Sequence, residues 1–163
     1  MNCEQAYIKV NNPDKIIELV YQRLNGNLRH LRYDEDLNDI PNSFSDEIAN
    51  NLKRKIAISK PIGEWIEMIE AREINDYALL IEISKVLNTD VFVIMQYDSV
   101  GAWGFADISN GEVTNSYFSE DDDDVEGLIE AEMKRRNIGF PTLLFRETFS
   151  RNEMEWKYVQ KEK

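Results

Sequence analysis

The spacing of apolar residues changes several times along the chain, and each change predicts an element. Gln5 to Val10 alternates weakly between apolar and polar side chains and predicts a strand. Asn12-Pro13 then supplies an N-cap and a first-turn proline. Ile16, Ile17, Val20 and Leu24 follow at helical spacing on one face, and Asn25-Gly26 ends that helix. Residues 26 to 43 are polar and mixed and suggest no element, whereas Ser45 to Leu52 reads as a short helix capped by Ser43 or Ser45.

Beyond this point the pattern turns β-like. Lys55 to Lys60 sets Ile56 and Ile58 on one face, and Lys60-Pro61-Ile62-Gly63 has turn chemistry. In Glu64 to Ala71, Trp65 and Ile69 face one way and Ile66 and Met68 the other. Apolar residues on both faces predict an interior strand covered on two sides. Asn75 caps a helix over Asp76 to Leu87, and Val91 to Tyr97 is the most apolar strand pattern in the chain. Gly101 to Ile108 and Val113 to Phe118 are joined by Ser109-Asn110-Gly111-Glu112, a strong hairpin signal because Asn and Gly both tolerate φ > 0. Residues 91 to 118 thus predict an antiparallel meander. Val125 to Arg136 reads as a helix with Val125, Leu128, Ile129 and Met133 inward, and Met154 to Val159 as a late strand.

This order predicts an α+β fold: a mixed, mainly antiparallel sheet packed against two or three helices as a two-layer sandwich. No repeat or Pro/Gly/Ser linker interrupts it, so residues 1–163 are read as a single domain. The hydrophobic fraction of 42% and charged fraction of 31% are those of a globular chain. No apolar run approaches the roughly 18 to 20 residues a membrane span requires. The opening Met1-Asn2-Cys3-Glu4-Gln5 lacks the basic and apolar regions of a signal peptide, and the one cysteine, Cys3, has no internal disulfide partner. The expected location is cytoplasmic, without membrane association.

Charge changes the picture most. The formal net charge is −12, from 31 acidic and 19 basic residues. Between Lys85 and Lys134 there is no Lys or Arg but there are 12 carboxylates: Asp90, Asp98, Asp107, Glu112, Glu120, Asp121, Asp122, Asp123, Asp124, Glu126, Glu130 and Glu132. Removing these 12 from the 31 acids leaves 19, equal to the 19 basic residues, so the whole net charge belongs to this window. Such a field attracts cationic partners and repels polyanions, which argues against nucleic acid as a ligand.

Recognisable catalytic chemistry is missing. One histidine, His30, and one cysteine cannot supply a usual zinc site, and no HExxH, Walker A or G-x-G-x-x-G is present. A Cys3–His30 nucleophile pair has no supporting motif. Reading Asp122 as the first position of an EF-hand puts Asp124, Glu126 and Gly127 in plausible places but Met133 at the twelfth, so that motif fails. Gly101-Ala102-Trp103-Gly104 is better explained by a hairpin than by phosphate binding. Paired carboxylates could still act as acid and base, with Glu67 as the first candidate and Glu70 and Asp98 behind it.

The reading these features favour is a non-enzymatic, cofactor-free binding or neutralising protein that occludes a basic protein partner, a toxin or nuclease being examples. In size and charge alone it is similar to small acidic inhibitors such as immunity proteins. The expected partner-binding residues are Asp98, Trp103, Asp107, Glu120, Asp121, Asp122, Asp123, Asp124 and Glu126. Two bland alternatives stand beside it. The acidic run is a solvated loop leading into a helix, and Trp103 is a core residue. A structural or regulatory domain and a carboxylate-using enzyme are the other functional readings.

Overall fold

The computed structural model describes residues 2–24, 26–32, 55–70, 77–97, 101–120, 122–139 and 155–161. Their elements are β1 (Asn2–Ile8), α1 (Pro13–Leu24), β2 (Gly26–Arg32), β3 (Lys55–Ser59), β4 (Ile66–Glu70), α2 (Tyr77–Leu87), β5 (Asp90–Tyr97), β6 (Ala102–Ser109), β7 (Glu112–Ser119), α3 (Val125–Arg135) and β8 (Glu155–Lys161). The eight strands form one sheet in the order β2-β8-β3-β4-β1-β5-β6-β7, and every neighbouring pair is antiparallel. This is the α+β class expected from sequence, an antiparallel sheet packed against helices.

The period-2 pattern assigns each strand residue to a face. Ala6 and Ile8, Ile56 and Ile58, Ile66 and Met68, Val91 and Val93, and Ala106 and Ile108 form one apolar face. Against it pack Ile16, Ile17 and Val20 of α1 and Leu79, Leu80 and Ile83 of α2. The Asn12 carboxamide accepts from the Asp14 N–H at 2.9 Å, the capping role that the Asn-Pro pair predicts.

The opposite face carries the intervening residues. Tyr7 and Phe92 stack across β1 and β5, and Phe92, Phe105, Trp103 and Tyr117 continue the aromatic row to the edge. The third helix sets its C-terminal end on this face, where Arg136 lies over the rings of Phe92 and Phe105. Ile129 and Met133 of α3 are buried, but Leu128 is exposed and Val125 only partly covered. The inward stripe of α3 is therefore narrower than its sequence predicts.

The meander β5-β6-β7 forms as expected. Its turn has φ of 52° at Asn110 and 80° at Gly111, the two positive values a two-residue type I′ hairpin requires. Ser84 of α2 fastens this turn by accepting from the Gly111 N–H at 3.2 Å and donating to the Thr89 carbonyl at 2.8 Å. Strand β4 is interior, between β3 and β1, as its two apolar faces predict. Strand β2 falls in the polar stretch that suggested no element. The helix expected over Ser45 to Leu52 and the cap at Asn75 lie outside the described residues.

Candidate functional site

Folding divides the acidic window into carboxylates with work inside the molecule and carboxylates that face solvent. Asp107 belongs to the first group. It sits on the aromatic face of β6, in line with Trp103 and Phe105, where an unpaired charge would be costly. Arg136, just past the last turn of α3, meets it with two parallel bonds, Nε to Oδ1 at 2.7 Å and Nη2 to Oδ2 at 2.6 Å. The third guanidinium nitrogen, Nη1, donates to Glu132 Oε2 at 2.6 Å and to the Glu132 carbonyl at 2.8 Å. Its side chain is only 11% exposed. The Arg136 carbonyl accepts from the Trp65 indole at 3.1 Å, so one residue joins β6, α3 and the entrance to β4.

Burial pushes the Asp107 carboxyl upward. The hydrogen bonds from Arg136 and Asn115, with the charges of Arg136 and Arg135, outweigh it and hold the group below the usual carboxylate range. Burial likewise favours loss of the Arg136 proton, but Asp107 and Glu132 outweigh that and raise its pKa. Asp107 is thus a packing residue held by Arg136, not part of a displayed acidic face. In the sequence, Lys134-Arg135-Arg136 at the end of a helix is explained by the helix dipole alone and gives no sign of this contact. The missed signal is a lone carboxylate at the end of Trp103-Gly104-Phe105-Ala106-Asp107, an aromatic strand face that demands a counter-charge.

Trp103 is 3% exposed and belongs to the interior. Its ring packs on Phe105 and Tyr117, and its indole N–H donates to Asp122 Oδ2 at 2.6 Å. Burial rules out its expected use as an exposed anchor. Asp122 is occupied in the same bond. Asp124 caps α3, its side chain accepting from the Gly127 N–H at 3.0 Å. Asp98 and Asp121 lie outside the described residues.

What remains is a small cluster. Glu120, Asp123, Glu126 and Glu130 are exposed around the step from β7 into α3, beside the half-used Asp124, and none has an ion pair among the described residues. The first turn of a helix tolerates such charge because its free N–H groups carry a partial positive charge. Arg135 and Arg136 stand at the other end of α3. Eleven residues separate the ends by roughly 16 Å. That is about twice the screening length at physiological salt, so among the described residues the charges at the N-terminal end of α3 are screened from Arg135 and Arg136, whereas Glu130, four residues before Lys134, is within reach of that cation.

The edge strand β7 leads directly into this cluster. Val113, Tyr117 and Phe118 on it are exposed to 51%, 44% and 55%. Tyr117 leans on Trp103 at 5.1 Å and on Phe105 at 5.9 Å between ring centres. Phe118 lies opposite Gly104, where a Cβ would stand 2.6 Å from the Tyr117 carbonyl oxygen and 3.2 Å from the Phe118 ring.

Glu67 is 1% exposed, on the aromatic face of β4, and accepts from Gln5 Nε2 at 2.5 Å. A shallow cavity of about 410 Å³ beside the clasp is lined by Lys9, Trp65, Asp90, Asp107, Arg135 and Arg136, so both signs of charge face it. Among the described residues no three His, Cys, Asp or Glu side chains converge as metal ligands, and no helix is long and apolar enough to cross a membrane. No protein-family model, curated protein or solved structure matches this chain.

Proposed function

We propose that this protein binds and neutralises a basic protein partner, in the manner of an inhibitor or immunity protein, through the acidic surface where β7 passes into α3. One observation carries the reading: Glu120, Asp123 and Glu126 lie at the N-terminal end of a helix, with Glu130 about a turn further along, and all four are exposed and without an ion pair among the described residues. Asp122 and Asp124 have local tasks that explain their presence. The exposed four have no side-chain bond or ion pair among the described residues, and concentrated like charge is tolerated at some cost in self-repulsion. A cationic partner relieves that repulsion and gains fast, steered encounter.

The test is capture of partners from whole-cell lysate by the wild-type protein and by a triple variant, Glu120→Lys/Asp123→Lys/Glu126→Lys. Capture is run at about 0.1 M and about 1 M salt, where the screening length falls from about 10 to about 3 Å. Basic proteins retained by wild type, released by salt and not retained by the variant support the reading. Equal capture by both proteins would instead leave the acidity as a device for solubility.

A further inference from the structure

The chemistry of a partner is one question and the way it docks is another. Strand β7 is the last in the sheet order, paired on one side with β6 and on its other side with no described strand. The hairpin fixes which of its backbone groups are open. A two-residue turn makes Ser109 and Glu112 a hydrogen-bonded pair, and bonded and non-bonded pairs alternate from there. The register shift beside Asp107 adds Thr114 as the extra residue. Asn115 and Tyr117 therefore direct their N–H groups to β6, while Ser116 and Phe118 direct theirs to the open side.

Natural edges are guarded by Lys, Pro, inward charges or bulges. The sequence of β2, at the other edge, carries Arg29 and Arg32. The stretch from Asn115 to Ser119 has no charge and no proline, and its one irregularity lies behind it, near the turn. An exposed aromatic side chain stands on each face, Tyr117 on one and Phe118 on the other. An added strand would meet main-chain donors and acceptors together with two rings that favour cross-strand neighbours.

We propose that the partner docks as an extended segment that adds a ninth, antiparallel strand alongside β7. This rests on the basic-partner reading, because charge decides the occupant. The acidic cluster begins where β7 ends, so an antiparallel segment places its own N-terminal end beside Glu120 and Asp123. The geometry points to a segment that is rich in Lys and Arg at its N-terminal end and alternates apolar and polar residues after it. Antiparallel pairing matches every other pair in the sheet and is the more stable kind per residue.

The experiment uses the full chain and three synthetic peptides. The first has Lys and Arg at its N-terminal end followed by alternating valine and threonine. The second has the same residues in reverse order, and the third has proline in place of alternate valines. Affinity is read by fluorescence anisotropy and docking by hydrogen exchange of the β7 amides. The first peptide is expected to bind tightest and to protect the Ser116 and Phe118 amides. Ser116→Pro, which removes an outward N–H and leaves the β6 ladder intact, weakens it about tenfold, as losing one or two main-chain bonds implies. Phe118→Lys, an edge guard, serves if the proline variant does not fold.

Equal binding of all three peptides, or no protection of Ser116 and Phe118, overturns strand addition. The basic-partner reading then stands or falls separately on the triple charge reversal. Concentration-dependent protection of the same amides without peptide also overturns it, since the occupant is then a second copy of this chain.

Discussion

Replacing Arg136 by Met removes the guanidinium and keeps most of the apolar stem over Phe92. The clasp consists of three charge-assisted side-chain bonds of 2.6 to 2.7 Å, each of a kind worth about 1.5–3 kcal/mol. Against them stand the desolvation of a guanidinium that is 11% exposed, several kcal/mol, and about 2 kcal/mol of side-chain entropy. The 3.9 Å approach to the Phe92 ring returns about 1 kcal/mol. Removing one partner of a fully buried pair costs about 3–5 kcal/mol, and an exposed pair contributes under about 1. With Asp107 and Glu132 about a quarter exposed, the expected loss is about 3 kcal/mol. For a chain of this size that lowers the melting temperature by about 6–12 °C. Urea denaturation followed by circular dichroism measures it. The double-mutant cycle with Asp107→Asn isolates the pair and is expected to give a coupling of about 2 kcal/mol. A coupling near zero, or a loss below about 1 kcal/mol for Arg136→Met, would refute the clasp as a tie between sheet and helix.

Two more outcomes follow from described geometry. Gly104→Ala puts a Cβ 2.6 Å from the Tyr117 carbonyl oxygen, which is backbone and cannot swing aside; the expected loss is about 2–3 kcal/mol in the same urea assay, and an unchanged midpoint would contradict the close approach of β6 and β7. Because the folded pKa of Asp107 is lowered, its contribution is complete above the unfolded value of about 3.9 and disappears as pH falls through the folded value. The melting-temperature gap between wild type and Asp107→Asn should therefore close in acid, and a gap that stays constant from about pH 7 to about pH 2 would argue against the assigned shift.

Local chemistry was readable wherever it determines structure by itself. Asn12-Pro13 opened α1, Asn110-Gly111 turned the hairpin, and the two apolar faces of Glu64 to Ala71 marked β4 as an interior strand. Strand β2 was hidden because a polar strand of the composition GNLRHLR has no clear period. Its place, like that of β8 between β2 and β3, is set by long-range pairing that no local signal encodes. The site was half legible. Acidity in one window was visible, but the backbone return that brings Arg136 over Asp107 was not. Trp103 read as core by default and as anchor only if exposed, and its burial with the Asp122 bond decided the matter.

The position of β8 has a consequence for biosynthesis. Among the described residues, β2 touches the sheet only through β8, and Arg32 is paired with Glu155. About 120 residues separate these partners in the chain, which at about 5–20 residues per second takes a ribosome on the order of 10 s to make. Throughout that interval the backbone of Gly26 to Arg32 lacks the one strand it pairs with among the described residues. The cationic Arg29 and Arg32 in that segment are well suited to the wait, since charge on an unsatisfied strand discourages neighbouring nascent chains from pairing with it.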